Sequence, residues 1–391
     1  MAKPAPAAAP ARGTRPGNRR ELVIAAASDL FAARGYANVG MGDIAQAVNV
    51  GASAIYRHFA SKSDLLLAAV ESGIRQYSLI SGVSADIGLE EMLENFASCA
   101  LDNRTVGVLW QRESRNLAPE GQRAMRDELR RVEKELALTI EHSRPGLDRA
   151  DSDLLAWSIL GVLVSVGFHS LSLPRDEYLA LLVDLCGTLA RLDLYGVAIG
   201  SHPTVKARAE LSRRDALISK ATELFAERGF GAAGIDDIAE AVGIAGPSVY
   251  AHFASKQDVL AAAIARGGDI LQADAQSAVE RNQDARATLT ELVESYVGLA
   301  TNDRFLIRML LSELDQLPDD DRHAARQRQR EYIDLWSGLL QQCSGDDTVR
   351  VRIRVQATLI VVSDIVQTRQ LRARPGFEGT LRHVAEALLG L

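Results

Sequence analysis

One short stretch concentrates donors of the kind that bind anions. Ser53, Tyr56, Arg57, His58 and Lys62 bring hydroxyl, phenol, guanidinium, imidazole and ammonium groups. All can bond a phosphate oxygen, and a guanidinium can also pair with both acceptors on a guanine edge. Ser53 and Arg57 are four apart, so on a helix they share a face about 200° around the axis from Ile55. Ile55 and Phe59, also four apart, form the apolar stripe on the other side. Such a helix is held by one face and offers donors on the other. Two readings fit this stretch alone: a helix that probes a nucleic-acid groove, or one helix of an all-helical core with a solvated polar side.

The neighbouring elements must position that helix. Gly51 and Ala52 mark a tight turn before it, and Ile44 and Val48 give the preceding segment its own apolar stripe. Ser61 is placed to cap a following helix that opens with Lys62 and Asp64 and continues through Leu65, Leu66, Ala69 and Val70. Upstream, Ile24, Ala27, Leu30 and Phe31 recur at helical spacing, and Gly35 closes that helix. Two short helices around a tight turn, with donors outward on the second, have the geometry of a helix-turn-helix in a major groove. The whole of Arg19–Val70 resembles the DNA-binding domain of the TetR family of transcriptional regulators. The residues that carry the resemblance are Leu30-Phe31, Arg34-Gly35-Tyr36, Asp43-Ile44-Ala45, Tyr56, His58-Phe59, Ser61-Lys62 and Asp64.

The chain holds this stretch twice. Arg213–Ile264 repeats Arg19–Val70 at a constant offset of 194, with about half the positions identical. Leu224-Phe225, Arg228-Gly229-Phe230, Asp237-Ile238-Ala239, Tyr250, His252-Phe253, Ser255-Lys256 and Asp258 answer their partners one for one. The expected fold class is therefore all-α, with two TetR-like units fused head to tail in 391 residues. The expected divisions are an arm over 1–18, a first head over 19–70 and a first helical regulatory domain over 71–198. A linker over 199–212, a second head over 213–264 and a second regulatory domain over 265–391 follow.

Outside the heads the apolar spacing stays helical. It predicts helices over Leu65–Ile80, Leu89–Asn103, Thr105–Leu117, Pro119–His142, Ala150–Leu171 and Arg175–Val197. The second half echoes them with Ser255–Glu280, Arg286–Thr301, Arg304–Gln316, Pro318–Gln342, Thr348–Thr368 and Gly379–Leu389. Leu154–Leu173 is apolar enough to raise a membrane question, but five serine and histidine interruptions favour a buried helix. The Ala/Pro-rich start lacks the apolar segment of a signal peptide, and Lys3, Arg12, Arg15, Arg19 and Arg20 make it a basic arm. Cys99, Cys186 and Cys343 have no ligand-like spacing and suit buried thiols in a reducing cytoplasm. The net charge of −7 excludes general nucleic-acid affinity but not a local basic surface. No phosphate loop, dinucleotide fingerprint, zincin motif or nucleophile elbow is present, so neither enzyme activity, a cofactor nor a metal is expected.

The resemblance implies partners. Members of the family pair through their last two helices and read palindromic operators on double-stranded DNA. A chain carrying both sets is expected to pair with itself as an intramolecular pseudo-dimer, since fusion raises the local concentration of one half to roughly millimolar. The expected DNA contacts are Arg19, Arg20, Gly51, Ala52, Ser53, Tyr56, Arg57, His58 and Lys62, with Arg213, Arg214, Gly246, Pro247, Ser248, Tyr250, His252 and Lys256 in the second head. The heads are not equivalent: Ser53 and Arg57 become Pro247 and Ala251, which implies an imperfect operator. Gly40, Gly234, Gly51 and Ala245 stand where many members carry a hydroxyl, which weakens the caps. Two alternatives stay open, a homodimer of chains with a degenerate second head and an interaction protein without DNA binding. The family's habit of release by a small effector points to Phe96, Trp110, Trp157, Phe168 and His169 for a first pocket, and to Phe305, Met309 and Trp336 for a second. Arg112 with Glu113, and Arg308 with Glu313, are the candidate polar anchors. The effector class implied is lipid-like, an acyl thioester or a sterol-like molecule acting on a repressor, with no membrane partner.

Overall fold

The computed structural model describes residues 18–83, 87–194 and 212–391. Residues 1–17 of the expected basic arm and 199–211 of the expected linker lie outside these residues. Every regular element among the described residues is a helix.

The first head is built from α1 (Arg19–Arg34), α2 (Met41–Ala47), α3 (Ala52–Ile55) and the start of α4 (Lys62–Ser81). Val23, Ala27, Phe31, Ile44, Ile55, Phe59, Leu65 and Leu66 close on one core. The helix ends follow local chemistry. Gly35 leaves α1 at φ 78°, a conformation that costs glycine little. Gly40 lacks a capping hydroxyl, and the Asp43 carboxylate accepts from its N–H instead, at 2.7 Å. The Ser61 hydroxyl accepts from Asp64 N at 3.0 Å, as its position before α4 predicts. The second head repeats the plan with α10 (Arg213–Arg228), α11 (Ile235–Val242), α12 (Gly246–Val249) and α13 (Lys256–Arg281).

The first body comprises α5 (Leu89–Asp102), α6 (Thr105–Val108), α7 (Pro119–Ser143), α8 (Arg149–Ser165) and α9 (Arg175–Arg191). The second comprises α14 (Ala285–Asn302), α15 (Arg304–Ser312), α16 (Asp319–Ser344), α17 (Thr348–Ile365), α18 (Arg369–Arg372) and α19 (Phe377–Leu389). The β-branched run from Val349 is helical, as the echo of the first half predicts. Two expected helices of the first half are interrupted, and the one expected over Arg304–Gln316 gives way to a 3-10 turn over Leu314–Gln316. The segment over 105–117 is α6, a π turn over Leu109–Glu113 and a 3-10 turn over Ser114–Asn116. Its polar residues turn toward the other half, a demand that local periodicity does not carry. The helix expected to reach Leu171 ends at Ser165, because the chain beyond it wraps Arg104. That guanidinium donates to the carbonyls of Val166, His169 and Leu171 at 2.6 to 3.2 Å. Gly167 permits the wrap, since a Cβ there would stand 2.1 Å from the Arg104 carbonyl.

The two halves share a core. Helices α8 and α17 pack together, flanked by α9 and α19, and the apolar cluster runs unbroken from Leu155 and Ile159 to Val361 and Leu381. Gly161 lets Val361 approach closely, its absent Cβ falling 3.0 Å from a valine methyl. Arg350–Glu177 at 2.7 Å, Arg354–Asp184 at 3.1 Å and Arg374–Asp151 edge the contact. Exposed ion pairs contribute about 0–1 kcal/mol each, whereas each fully buried aliphatic side chain contributes about 1.5–3 kcal/mol. Apolar burial therefore dominates this junction. Among the described residues no helix is long and apolar enough to cross a membrane.

Candidate nucleic-acid interface and cavities

Helix α3 has a single turn and is continued by the bend through His58. Ile55 is wholly buried and Phe59 nearly so, which fixes the direction of everything between them. Ala52, Ser53, Tyr56, Arg57 and His58 are all exposed, and Gly51 precedes them as an exposed cap. Tyr56 is 55% exposed and its counterpart Tyr250 57%. An aromatic ring left in water on both heads is not accounted for by packing. Arg20 lies over the Phe59 ring at 5.1 Å and Arg214 over Phe253 at 4.8 Å, which brings a guanidinium beside each probing helix. Arg19 and Arg213 start the helices that carry them.

Two expected donors are placed otherwise. The Lys62 ammonium donates to the carbonyls of Tyr36 at 2.7 Å and Val39 at 2.9 Å and sits 4.1 Å from the Tyr36 ring centre. Lys256 does the same with Phe230 and Ala233, at 2.7 and 3.0 Å. Burial lowers both pKa values. These lysines tie the α1–α2 loop to α4, and the α10–α11 loop to α13; they are structural pins, and a role as free phosphate donors does not fit their placement.

The second head contains a feature that motif reading missed. Asp236 is exposed and occupies the position of Gly42, and a Cβ on Gly246 would fall 2.0 Å from its carboxylate. A negative charge thus abuts the start of α12, where the first head has only glycine. Pro247, Ser248, Tyr250, Ala251 and His252 lie on that helix and its following turn, and all five are exposed, while Gly246 is half-buried. The signal was present in the offset of 194, which pairs 42 with 236.

The profile of bacterial regulatory proteins of the tetR family matches residues 23–69 and again 217–263. A tetracyclin repressor-like C-terminal domain matches residues 282–369. The chain belongs to the TetR family. It is a DNA-binding transcriptional regulator with two TetR heads, and not an enzyme. Among similar proteins is the transcriptional repressor KstR2 of Rhodococcus jostii, 28% identical over 190 residues, which are 48% of this chain and 93% of KstR2. The transcriptional activator FasR of Mycolicibacterium smegmatis is 35% identical over 91 residues, 23% of this chain and 42% of FasR. Among solved structures, the ketosteroid transcriptional regulator KstR2 of Mycobacterium tuberculosis aligns at TM-score 0.41 and 23% identity, over 47% of this chain and 96% of that one. A TetR-family regulator from Bordetella parapertussis aligns at 0.42 and 21%, over 45% and 93%.

Beneath the heads of this TetR chain lie two cavities. The first, about 480 Å³, takes most of its walls from α4, α6, α7 and α8 and the rest from α15, α17 and α18 of the second half, and includes Trp110, Trp157 and Phe168. The second, about 900 Å³, lies under the second head and is closed on one side by Phe168 and His169 of the first half. Arg112 stacks over Phe168 at 5.2 Å, and both residues line both cavities. His169 is held neutral, its pKa lowered to about 3 by burial and by the neighbouring Arg104.

Four expected pocket residues line neither cavity. Phe96 is buried edge-on to Tyr77 at 5.3 Å, and Met309 belongs to the core of the second head. Trp336 is buried among Tyr296 and Tyr332, at 6.1 and 5.9 Å, and Phe305 lies under the Arg304 guanidinium at 3.9 Å. Helical spacing shows that such residues turn inward, not whether they meet a void or another side chain. Of the four expected anchors, Arg112 and Arg308 line the first cavity, and Arg112 and Glu313 make ion pairs between the halves. Arg112 reaches Asp315 at 3.6 Å, and Arg115 pairs with the wholly buried Glu313, which also accepts from Phe230 N at 3.3 Å. Glu113 accepts from Asn116 at 2.8 Å. Among the described residues no group of three His, Cys, Asp or Glu side chains suits a metal ion.

Proposed function

We propose that the chain is its own dimerisation partner and reads an imperfect operator with two unlike heads. The observation that supports this best is the unbroken apolar core joining α8 of one half to α17 of the other. A surface of that kind exposed on each half would drive association between chains unless the halves cover each other. The first head, 19–70, supplies the base reading: Arg57 addresses a guanine edge, while Ser53, Tyr56, His58 and Arg20 position the helix on phosphates. The second head, 213–264, binds more weakly through Arg213, Arg214, Ser248, Tyr250 and His252.

Repression is the favoured output, since the match to the repressor KstR2 extends over nearly all of that protein. A small effector enters the cavities beneath the heads and shifts their spacing, which releases the DNA. A second reading has specific support: Asp236 and Pro247 impair one head, so two chains could bind one operator through their first heads.

Light scattering on the free protein and mobility shift on the chain's own upstream DNA, at several salt concentrations, test the proposal. A free mass near 42.3 kDa and one or two chains per operator, with affinity falling steeply as salt rises, are expected. An obligate dimer in solution would overturn self-pairing, and absence of any salt-dependent shift would overturn DNA recognition by these heads.

A further inference from the structure

The charge of the first cavity is not balanced by the protein around it. Arg104, Arg112, Arg126 and Arg130 reach its wall from the first half and Arg308 and Arg369 from the second, against a single carboxylate, Asp364, among the described lining residues. Asp315 and Asp127 partly offset Arg112 and Arg130, at 3.6 and 3.8 Å, and Arg104 is occupied by carbonyls. Arg126, Arg308 and Arg369 make no ion pair within 4 Å among the described residues. Burial, and after it the nearby Arg115 guanidinium, lower the Arg308 pKa. Two buried polar atoms of lining residues, Gln111 Nε2 and Arg112 Nε, have no hydrogen-bond partner. A buried donor without an acceptor costs about 1–3 kcal/mol, so the arrangement is unfavourable as it stands.

The internal repeat shows that folding does not require it. Arg308 stands five residues before the buried Glu313, and the residue five before the buried Glu113 is Val108. Where α17 ends, the Asp364 carbonyl accepts from Gln367 N at 3.0 Å; at the same place after α8 the Val164 carbonyl accepts from Gly167 N at 3.1 Å, so the counterpart of Asp364 is Val164. The same scaffold therefore closes with two valines in one half and with a largely desolvated arginine and aspartate in the other. Buried charges are a burden on stability when hydrophobic residues fit the same place. Here they face the first half's cavity, whose wall includes an apolar stretch of Ile74, Leu129, Val132, Trp157 and Leu160.

We propose that this cavity is a composite site, formed by both halves, for an anionic amphiphile: an apolar chain or ring body bearing a carboxylate or phosphate head. The apolar body lies along the first-half wall. The head meets Arg308 and Arg112 inside and Arg369 at the mouth. Because the apolar stretch and Arg112 come from one half and Arg308 and Arg369 from the other, an occupant ties the halves at a fixed spacing beneath the heads. This rests on the effector reading given above and names the ligand class for one of its two cavities.

The test is calorimetric titration of the full chain with four ligands of equal chain length: dodecyl phosphate, dodecanoate, dodecanol and dodecyltrimethylammonium, all below their micellar concentrations. At least one anion is expected to bind at one high-affinity site per chain, about tenfold or more tighter than dodecanol, with the cation weakest. The stronger of the two anions identifies the head group. The double variant Arg308→Val with Asp364→Val installs the pair that the first half already uses, so the fold should persist, and an unchanged melting temperature checks this. It should weaken the anion about tenfold and leave dodecanol unaffected; Arg369→Gln should weaken the anion by a smaller factor. Dodecanol binding as tightly as both anions, or a folded double variant that binds the anion like the parent, would overturn the site. Anion binding that is lost in the double variant yet never releases DNA would support the site and refute the effector reading. Release by dodecanol, with no preference for anions, would do the reverse.

Discussion

Arg57 and Lys62 stand five residues apart and carry the same charge, yet the fold uses them differently. Arg57 is exposed on the turn after α3, with Ile55 and Phe59 anchoring either side. If it pairs with a guanine edge, Arg57→Ala should cost about 1–3 kcal/mol of binding and relax one operator position. Competition among single-base operator variants measures this, and an equal loss on every sequence would refute base reading. Lys62 instead holds the Tyr36 and Val39 carbonyls. Lys62→Met should therefore lower the stability of the first head by about 1–3 kcal/mol, the cost of leaving buried acceptors unpaired. The salt slope of DNA binding should hardly move, since no phosphate contact is removed. Thermal melts and salt titrations of the same variant separate the two roles. Sequence alone did not distinguish these residues, because a donor's type and spacing say nothing of the carbonyls that a loop folds back beside it.

At the scale of helices, the elements that local patterning governs were legible in advance. Ser61 before α4, Gly35 after α1 and the stripes of Ile44 and Ile55 each act within a few residues of themselves, so sequence carried them. Where a helix answers to something distant, the reading failed: α8 stops at Ser165 because Arg104 claims the next carbonyls, and the 105–117 segment breaks where it meets the other half. Trp336 and Met309 were misplaced for the same reason, since an inward apolar residue does not reveal whether it faces a void. One buried pair between helices has a consequence for pH. The Glu133 carboxyl on α7 is pushed up to about 8, by burial and then by Asp153 on α8. Such a carboxyl keeps in the fold a proton that the unfolded chain gives up near its ordinary pKa of about 4.3. Stability due to this group is therefore full below about 4 and falls as pH rises toward 8. Asp364, raised to about 6 by burial, acts in the same direction over a narrower window. Melting temperature should drop by a few degrees between pH 5 and pH 8, and Glu133→Gln should remove part of that drop. A Glu133→Gln variant whose pH profile matched the parent's would show that the pair does not hold the proton.

Across the whole molecule, two heads of unlike chemistry are set on one shared core, and the difference between them can be tested by reversing it. Three differences between the heads bear directly on DNA contact: Asp236 for Gly42 on the preceding helix, and Pro247 for Ser53 and Ala251 for Arg57 on the probing helix and its turn. The first adds a negative charge at the start of α12, the second removes a hydroxyl and an N–H, and the third removes the guanidinium. All three oppose phosphate or base contact, while Tyr250, His252 and Arg214 keep the rest of the surface. Asp236→Gly, Pro247→Ser and Ala251→Arg together should restore a first-type head without touching the core, since none of the three parent side chains is buried. On a synthetic operator made of two inverted copies of the first half-site, the triple variant should bind about tenfold tighter than the parent. Its plot of log affinity against log salt should steepen by roughly one for each new bond to a phosphate. On an imperfect natural site of the kind proposed, the variant should improve less, because a second half-site suited to Ala251 need not offer the guanine edge that a guanidinium there would use. If the symmetric operator brought no improvement, the second head would not be facing DNA at all. The self-paired arrangement would then give way to two chains, each reading through its first head.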